Sequence, residues 1–262
     1  MKTEILMLIL FAIGSYFFGN INWAIFISKL NKKDIRKMGS GNPGTLNMSR
    51  NFGLKLGLLT FFLDISKGAV PTLIAYFVFS SYGYFEGTQF AVCDFAVYLC
   101  GFSVVMGHIY PAAFKFKGGK GIASTIGVLL VCESVSGWEW IVVMIMALVA
   151  AVLFIYFTEF GAMGSFIAIT PPAVSGSIRL FLKYGGDKLD TCLAFYIVTN
   201  MLILAICFFT WFAHRKNIER MLAGEEHPTS IKEMVVKMKA KKAAEKQKAD
   251  IPTLSKEEGK EK

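Results

Sequence analysis

The sequence predicts an all-α integral membrane protein of about seven transmembrane helices, with its N-terminus outside and its C-terminus in the cytoplasm. Three observations carry this. Of 262 residues, 54% are hydrophobic, and the mean hydropathy of +0.51 lies well above the balance of a soluble domain. Apolar stretches recur at close to the length of about 20 residues that a bilayer-crossing helix needs. Lysine and arginine concentrate on alternate loops, as the positive-inside rule requires.

The elements follow in order. Residues 4–28 form the first span; the stretch is too long for a signal peptide, lacks a small-residue cleavage site and leads into a basic loop. Further spans are predicted near 53–80, 89–110, 121–133, 138–158, 164–182 and 191–212. The fourth is short, as a partial or tilted insertion would be. The sixth holds Pro171-Pro172, which should kink it. An odd number of spans puts the two ends on opposite sides. One side then collects Lys29, Lys32, Lys33, Arg36, Lys37, Arg50, Lys55, Lys115, Lys117, Lys120 and the basic C-terminal segment, against Lys2, Arg179, Lys183 and Lys188 on the other. The bias places the first side in the cytoplasm. The chain divides into a membrane domain, 1–224, and a charged, flexible tail, 225–262, whose lysines between Lys237 and Lys248 are solvated or touch anionic lipid.

The net charge of +9 would suggest a nucleic-acid partner in a soluble protein; here it reflects cations gathered on one side of a bilayer, and no nucleic acid is expected. Cys93, Cys100, Cys132, Cys192 and Cys207 all lie in apolar segments with no CxxC pair, and read as small buried hydrophobes.

Two glycine-rich loops stand on the cytoplasmic side. "MGSGNPGTLNMSR", residues 38–50, contains GxGxxG at Gly39, Gly41 and Gly44, but a basic loop precedes it and a span follows, so it is no dinucleotide fingerprint. Its glycines let backbone amides face an anion. Ser40, Asn42, Thr45 and Asn47 supply neutral hydrogen bonds, and Arg50 a planar fork suited to phosphate. "KFKGGKGIAST", residues 115–125, lacks Walker A spacing, yet it opens into a helix start, where unpaired amides and the dipole favour an anion, with Lys120 adding a charge. Asp64 and Lys67 are three apart inside a span, on one helix face, as a structural ion pair or as ligands. His108 ends the third span; His214, Asn217 and Arg220 lie along one face of a helix below the membrane; His227, in the hydrophilic tail, is idle. His214 and Glu219 spell HxxxxE, a weak echo of another acyltransferase motif. No Ser-His-Asp arrangement, GxSxG or HExxH occurs. Phosphate binders, a lipid-sized interior and no protein nucleophile suit acyl transfer from an already activated acyl phosphate to a phosphorylated alcohol, where the enzyme aligns reactants and stabilises charge.

"GSGNPGTLNMSR", "LDISKG", "GHIYPAAFKFKGGKGIAST" and "HRKNIERMLAGEE", in that order, resemble the signature regions of the bacterial acyl-phosphate:glycerol-3-phosphate acyltransferase family (PlsY type), from about Gly14 to Glu226. The resemblance implies a multi-pass enzyme of the bacterial cell inner membrane, its active site facing the cytoplasm, making 1-acyl-glycerol-3-phosphate for phospholipid synthesis. Acyl phosphate and glycerol-3-phosphate are the implied substrates, membrane lipid the surroundings, and an enzyme that makes acyl phosphate an expected partner. No metal or cofactor is expected. Position by position, Ser40, Arg50, Lys120, His214 and Asn217 are the expected catalytic residues. Gly41, Asn42, Asn47, Lys117, Gly118, Gly119, Gly121, Ser165 and Arg220 are expected to bind substrate, with the amides around Gly118 and Gly119 and the Lys120 side chain on the acceptor's phosphate, and Lys115 serving topology. A substrate phosphate is expected to take the proton of the attacking hydroxyl. The chain departs from the family pattern at Leu46, where a hydroxyl residue is usual and Thr45 can stand in, and at Glu159 and Ala162, where Arg and Ser are usual. Those departures leave a paralogue with another acceptor as an alternative. A transporter of organic phosphates is the other, though no inverted repeat is visible and both loops lie at one face.

Overall fold

The computed structural model describes residues 2–226, 228–230, 232–233, 235–236 and 239–240. His227 and, apart from Lys239, the lysine run of 237–248 lie outside the described residues. The described chain is all helical: α1 Lys2–Gly19, α2 Trp23–Leu30, α3 Thr45–Phe52, α4 Leu54–Ser80, α5 Val92–Ile109, α6 Ile122–Ser134, α7 Trp138–Thr158, α8 Gly161–Tyr184, α9 Leu189–Phe212 and α10 Arg215–Leu222. Among the described residues, six helical stretches are long and apolar enough to cross a membrane: Thr3–Leu30, Leu54–Ser80, Val92–Phe114, Trp138–Thr158, Gly161–Tyr184 and Gly186–Phe212. The fourth predicted span, α6, has only 13 residues. At about 1.5 Å per residue it falls well short of a hydrocarbon core of roughly 30 Å. Large apolar side chains such as Ile9, Phe62, Phe77, Met146, Phe157, Leu182 and Leu204 point outward, as lipid-facing helices require.

The structure corrects the sequence reading at several elements. The expected first span breaks at Asn20–Asn22. Asn20 Nδ2 donates to Tyr16 O at 2.6 Å, and Asn22 caps α2 by accepting from Ile25 N at 3.0 Å; short amide side chains compete for the backbone and start a new helix. The glycine-rich loop predicted before α4 contains a helix, α3, divided from α4 by Gly53 at φ +91°, a conformation glycine adopts freely. α8 is one helix from Gly161 to Tyr184 with Pro171 and Pro172 inside it.

α5 is the central helix, with two thirds of its apolar span buried (67%) against 17% for the peripheral α7. Small residues let its neighbours close in. At Gly19 of α1 a side chain would collide with Val104 O, and at Gly107 of α5 with Tyr16 O; α4 and α6 cross in the same way, Gly68 against the Ser124 backbone and Gly127 against the Ile65 backbone. Such crossings are how helices pack where the surrounding lipid is as apolar as the interface. Away from the glycine-rich loops, the bundle is pinned by Asp94 of α5. Its Oδ2 accepts from Lys183 Nζ at 2.7 Å and Tyr184 OH at 2.5 Å, while Arg179 Nη2 donates to Tyr98 OH at 2.9 Å. At the opposite end, the α2–α3 segment, the loop after α5, the α7–α8 turn and the α9–α10 junction converge around one cavity.

Candidate active site

That cavity has a volume of about 270 Å³. Its mouth is polar: Ser40, Asn42, Arg50, Lys120, Ser165, His214, Asn217, Arg220, Glu226 and Thr229 line it. Farther in, the walls are apolar, with Phe61 of α4, Ile126 of α6, Leu148, Ala151, Val152 and Ile155 of α7, and Ala168 of α8. Four sequence-distant segments therefore place cations and amides over an apolar slot.

Arg50 reaches the mouth from the last turn of α3; its Nη2 donates to Pro228 O and to Thr229 Oγ1, each at 3.1 Å. Lys120 Nζ donates to Asn217 Oδ1. Asn217 Nδ2 in turn donates to Glu226 Oε1 at 2.7 Å, and Arg220 Nε to Glu226 Oε2 at 3.1 Å. Burial pushes the Lys120 amine down to about 8; the Glu226 carboxylate opposes this, and the charges of Arg220 and Arg50 add to it. A group so placed is charged at neutral pH and gains most from a bound anion.

His214 stands at the start of α10, 4% exposed. Burial, and then the Lys120 charge, hold its imidazole down at about 4, so it is neutral at pH 7. Its Nδ1 lies 2.8 Å from Thr210 O. A neutral ring bonded to a carbonyl there carries its proton on Nδ1 and presents Nε2 as an acceptor. With that basicity it suits holding a hydroxyl group in place better than removing its proton.

Other expected site residues sit differently. Asn47 lines the cavity, but its Nδ2 is bonded to Met38 O and Asn42 O at 3.0 Å and to Ile35 O at 3.3 Å. Its Oδ1 accepts from Asn51 Nδ2 at 2.9 Å and Ser40 N at 3.3 Å. It holds the first loop in shape around Ser40. Gly41 is off the cavity, turning the chain at φ +70°, with its amide given to Met38 O at 2.9 Å. Gly118 and Gly119 do not present free amides to an anion: they donate to Ile109 O and His108 O, each at 3.1 Å. Their lack of a side chain lets the loop lie on His108. Lys117 is exposed and, like Lys115, lies off the cavity. Gly121 lines the cavity as the left-handed N-cap of α6, φ +85°. Ser165 does so with its hydroxyl donated to Gly161 O at 2.8 Å.

Sequence reading missed Glu226 and Thr229, which it assigned to a flexible tail. Gly224, at φ +70°, ends α10 and turns the chain back; Glu225 N donates to Arg220 O at 2.7 Å and Thr229 N to Glu159 O at 2.8 Å, a glycine-ended helix cap leading into a strap across the mouth. Glu159 receives that strap through its backbone, from a left-handed C-cap position at φ +62°. Asp64 and His108 also line the cavity, with Lys67 Nζ 3.2 Å from Asp64 Oδ1. Among the described residues, no three His, Cys, Asp or Glu gather as metal ligands would.

The family model for glycerol-3-phosphate acyltransferase matches residues 9–224. A glycerol-3-phosphate acyltransferase of Mycoplasmopsis pulmonis is 36% identical over 223 residues, covering 82% of this chain and 90% of its own. One from Finegoldia magna is 36% identical over 222 residues, covering 84% and 96%. Among solved structures, PlsY (YgiH), an integral membrane glycerol 3-phosphate acyltransferase, is similar in its glycerol 3-phosphate form with a TM-score of 0.60 and 30% identity, over 87% of this chain and 98% of that one. Its lysophosphatidic acid form gives 0.59 and 29% over 88% and 99%. The chain belongs to the glycerol-3-phosphate acyltransferase family.

Proposed function

We infer that this protein transfers an acyl group from acyl phosphate to glycerol-3-phosphate, releasing 1-acyl-glycerol-3-phosphate and phosphate. The observation that carries the reading is the joining of a mouth lined by Arg50, Lys120, Asn217 and Arg220 to a slot walled by Phe61, Ile126, Leu148, Ala151 and Ile155. The mouth suits two phosphorylated groups and the slot suits a hydrocarbon chain. The acceptor hydroxyl, held at His214, attacks the acyl carbonyl carbon. The bond from that carbon to the phosphate oxygen breaks, and the hydroxyl proton passes to a substrate phosphate. Arg50 offsets the charge on the leaving phosphate, and Lys120 holds the phosphate of the acceptor. Ser40 and Asn42 orient the substrates; Asn47 and Gly41 shape their loop, and Gly118 and Gly119 set the position of Lys120.

Family membership favours this over transport of organic phosphates. The reading extends to place: the bacterial cell membrane, with the site-bearing face toward the cytoplasm, where both glycerol-3-phosphate and an enzyme supplying acyl phosphate are met. The functional unit includes the strap to Ser230, so the boundary proposed at 224 moves by a few residues. The deciding experiment gives purified protein a long-chain acyl phosphate and labelled glycerol-3-phosphate, without added metal or coenzyme A, and looks for labelled lysophosphatidate. Product formed only from acyl-coenzyme A would refute the donor. Uptake by proteoliposomes without acylation would refute the reaction.

A further inference from the structure

Beneath the cation cluster, Lys67 joins three elements of the bundle while lining no part of the cavity. It is 2% exposed. Its Nζ donates to Ile21 O in the α1–α2 break at 2.7 Å and to His108 Nδ1 at the end of α5 at 2.6 Å. It also stands 3.2 Å from Asp64 Oδ1 one turn away on α4. A lysine has three donors and no acceptor; two of them are bonded here, and the charge is paired with Asp64. It also fixes His108: a ring that accepts at Nδ1 keeps its proton on Nε2.

His108 in turn seats the glycine-lysine loop. Its carbonyl accepts from Gly119 N at 3.1 Å, and the next carbonyl, Ile109 O, accepts from Gly118 N at 3.1 Å. The ring lies so close to Gly119 that a side chain there would collide with Nε2. Lys120 is the following residue. The near end of the loop returns to the same helix break: Tyr16 OH accepts from Ala112 N at 3.2 Å, and Asn20 Oδ1 accepts from Ala113 N at 3.2 Å. The near end of the loop is thus anchored to 16–21 and the far end to His108 and Ile109, and Lys67 connects the two anchors through Ile21 O and His108 Nδ1.

We propose that Lys67 and His108 are positioning residues that hold the Gly118–Gly119 turn so that the Lys120 amine meets the acceptor's phosphate, with Lys67 acting through His108 and through the Ile21 carbonyl of the α1–α2 break. The proposal rests on the reading of Lys120 given under Proposed function. A buried lysine removed alone would strand Asp64, whereas removing both charges together leaves none unpaired. The test therefore uses the double variant Lys67→Met with Asp64→Asn, alongside His108→Leu and His108→Asn. The Asn amide oxygen can take the place of Nδ1 as acceptor for Lys67. KM and kcat are measured for each substrate, with unfolding temperature recorded for each purified variant. The expected result is a KM for glycerol-3-phosphate raised about tenfold or more in the double variant and in His108→Leu, with the KM for acyl phosphate changed by less than about twofold. His108→Asn should recover part of the loss. Combined with Lys120→Ala, the double variant should add less than about twofold, since residues acting through one contact are not additive. Unchanged kinetics, equal losses for both substrates, or a fall in unfolding temperature alone would overturn the proposal. If the double variant does not fold, the His108 pair decides by the same split. Should Lys120→Ala itself leave the acceptor's KM untouched, the assignment of Lys120 fails, and that result is separable from a failure of Lys67 or His108 to act on it.

Discussion

Arg50 shows what a single residue type contributes at the mouth. Its Nη2 already meets a carbonyl and a hydroxyl of the strap, Pro228 O and Thr229 Oγ1, so the planar group is held where a phosphate can be gripped by its fork. Arg50→Lys keeps the charge and loses the fork; with a charge-assisted bond worth about 1.5–3 kcal/mol, kcat/KM should fall by roughly tenfold to a hundredfold. Kinetics like the parent's would remove the two-bond assignment. Lys120 makes a prediction in pH. Its amine, lowered to about 8, loses its charge as pH rises through that value in the free enzyme. So kcat/KM for glycerol-3-phosphate should decline above about pH 8, while a bound phosphate stabilises the ammonium and carries the decline in kcat to higher pH. Lys120→Arg, charged throughout, should flatten the first limb, and a limb that stays in that variant belongs to another group. That Arg50, Lys120, His214 and Asn217 come together at one cavity was legible because phosphate chemistry uses few residue types and the motifs carry them. For Gly118 and Gly119 the sequence left the local contact open, because a glycine beside a lysine looks the same whether it approaches a ligand or, as here, an imidazole ring. Only the fold separates these cases.

At the scale of elements, long apolar periodicity was readable and short elements were not. α4, α5, α7, α8 and α9 fall within a few residues of their predicted spans, since twenty apolar residues leave few alternatives. α3, with eight residues, is too short for a periodic signal to stand out and owes its place to packing on α4. The break between α1 and α2 turns on Asn20 and Asn22, two polar residues in an otherwise apolar run. The α4–α6 crossing gives an element-scale prediction. At Gly127 a Cβ would meet the backbone of Ile65 and Ala69, atoms that move only with the whole helix. Gly127→Ala should therefore cost about 1–3 kcal/mol and lower the unfolding temperature in detergent; an unchanged temperature would mean that the helices part easily. The strap gives another. Composition assigned it to a tail because charge resumes at Glu225 and Glu226, yet Glu226 holds both Asn217 and Arg220. A chain ended after Ser230 should keep its activity, and one ended after Gly224 should lose about tenfold or more, as expected when two charge-assisted bonds go. Equal activity in the two truncations would detach the strap from the site.

For the whole molecule, the arrangement of helices constrains the topology of the reaction. Leu54 of α4 follows the arginine-bearing α3, α5 carries His108 in its last turn, α6 starts beside Lys120, α8 starts at Gly161, and α9 leads to His214; all border or adjoin the one cavity. The chain therefore leaves and returns to the same face with each pair of helices, and α6, though short, reverses direction together with α7. The face opposite holds the Gly186–Lys188 turn. Of the cations assigned there from sequence, Arg179 and Lys183 are engaged by Asp94, at 3.9 and 2.7 Å, which leaves that face less basic than the count implied. The cavity face carries the exposed Lys29, Lys32, Lys33, Lys37, Lys115 and Lys117. Both features strengthen the inference that the cavity opens to the cytoplasm, the side on which a charged, water-soluble acceptor is available without crossing a bilayer. Cysteines placed at Lys115 and at Asp187, both exposed positions, report the orientation in a background where the five native cysteines, buried or half-buried, are replaced. A membrane-impermeant maleimide should label Asp187→Cys in intact cells and Lys115→Cys only in inside-out vesicles. The reverse pattern would turn the enzyme over and require the acceptor to be supplied from outside. Labelling of both from one side would mean that α6 and α7 do not separate the two faces as the fold implies.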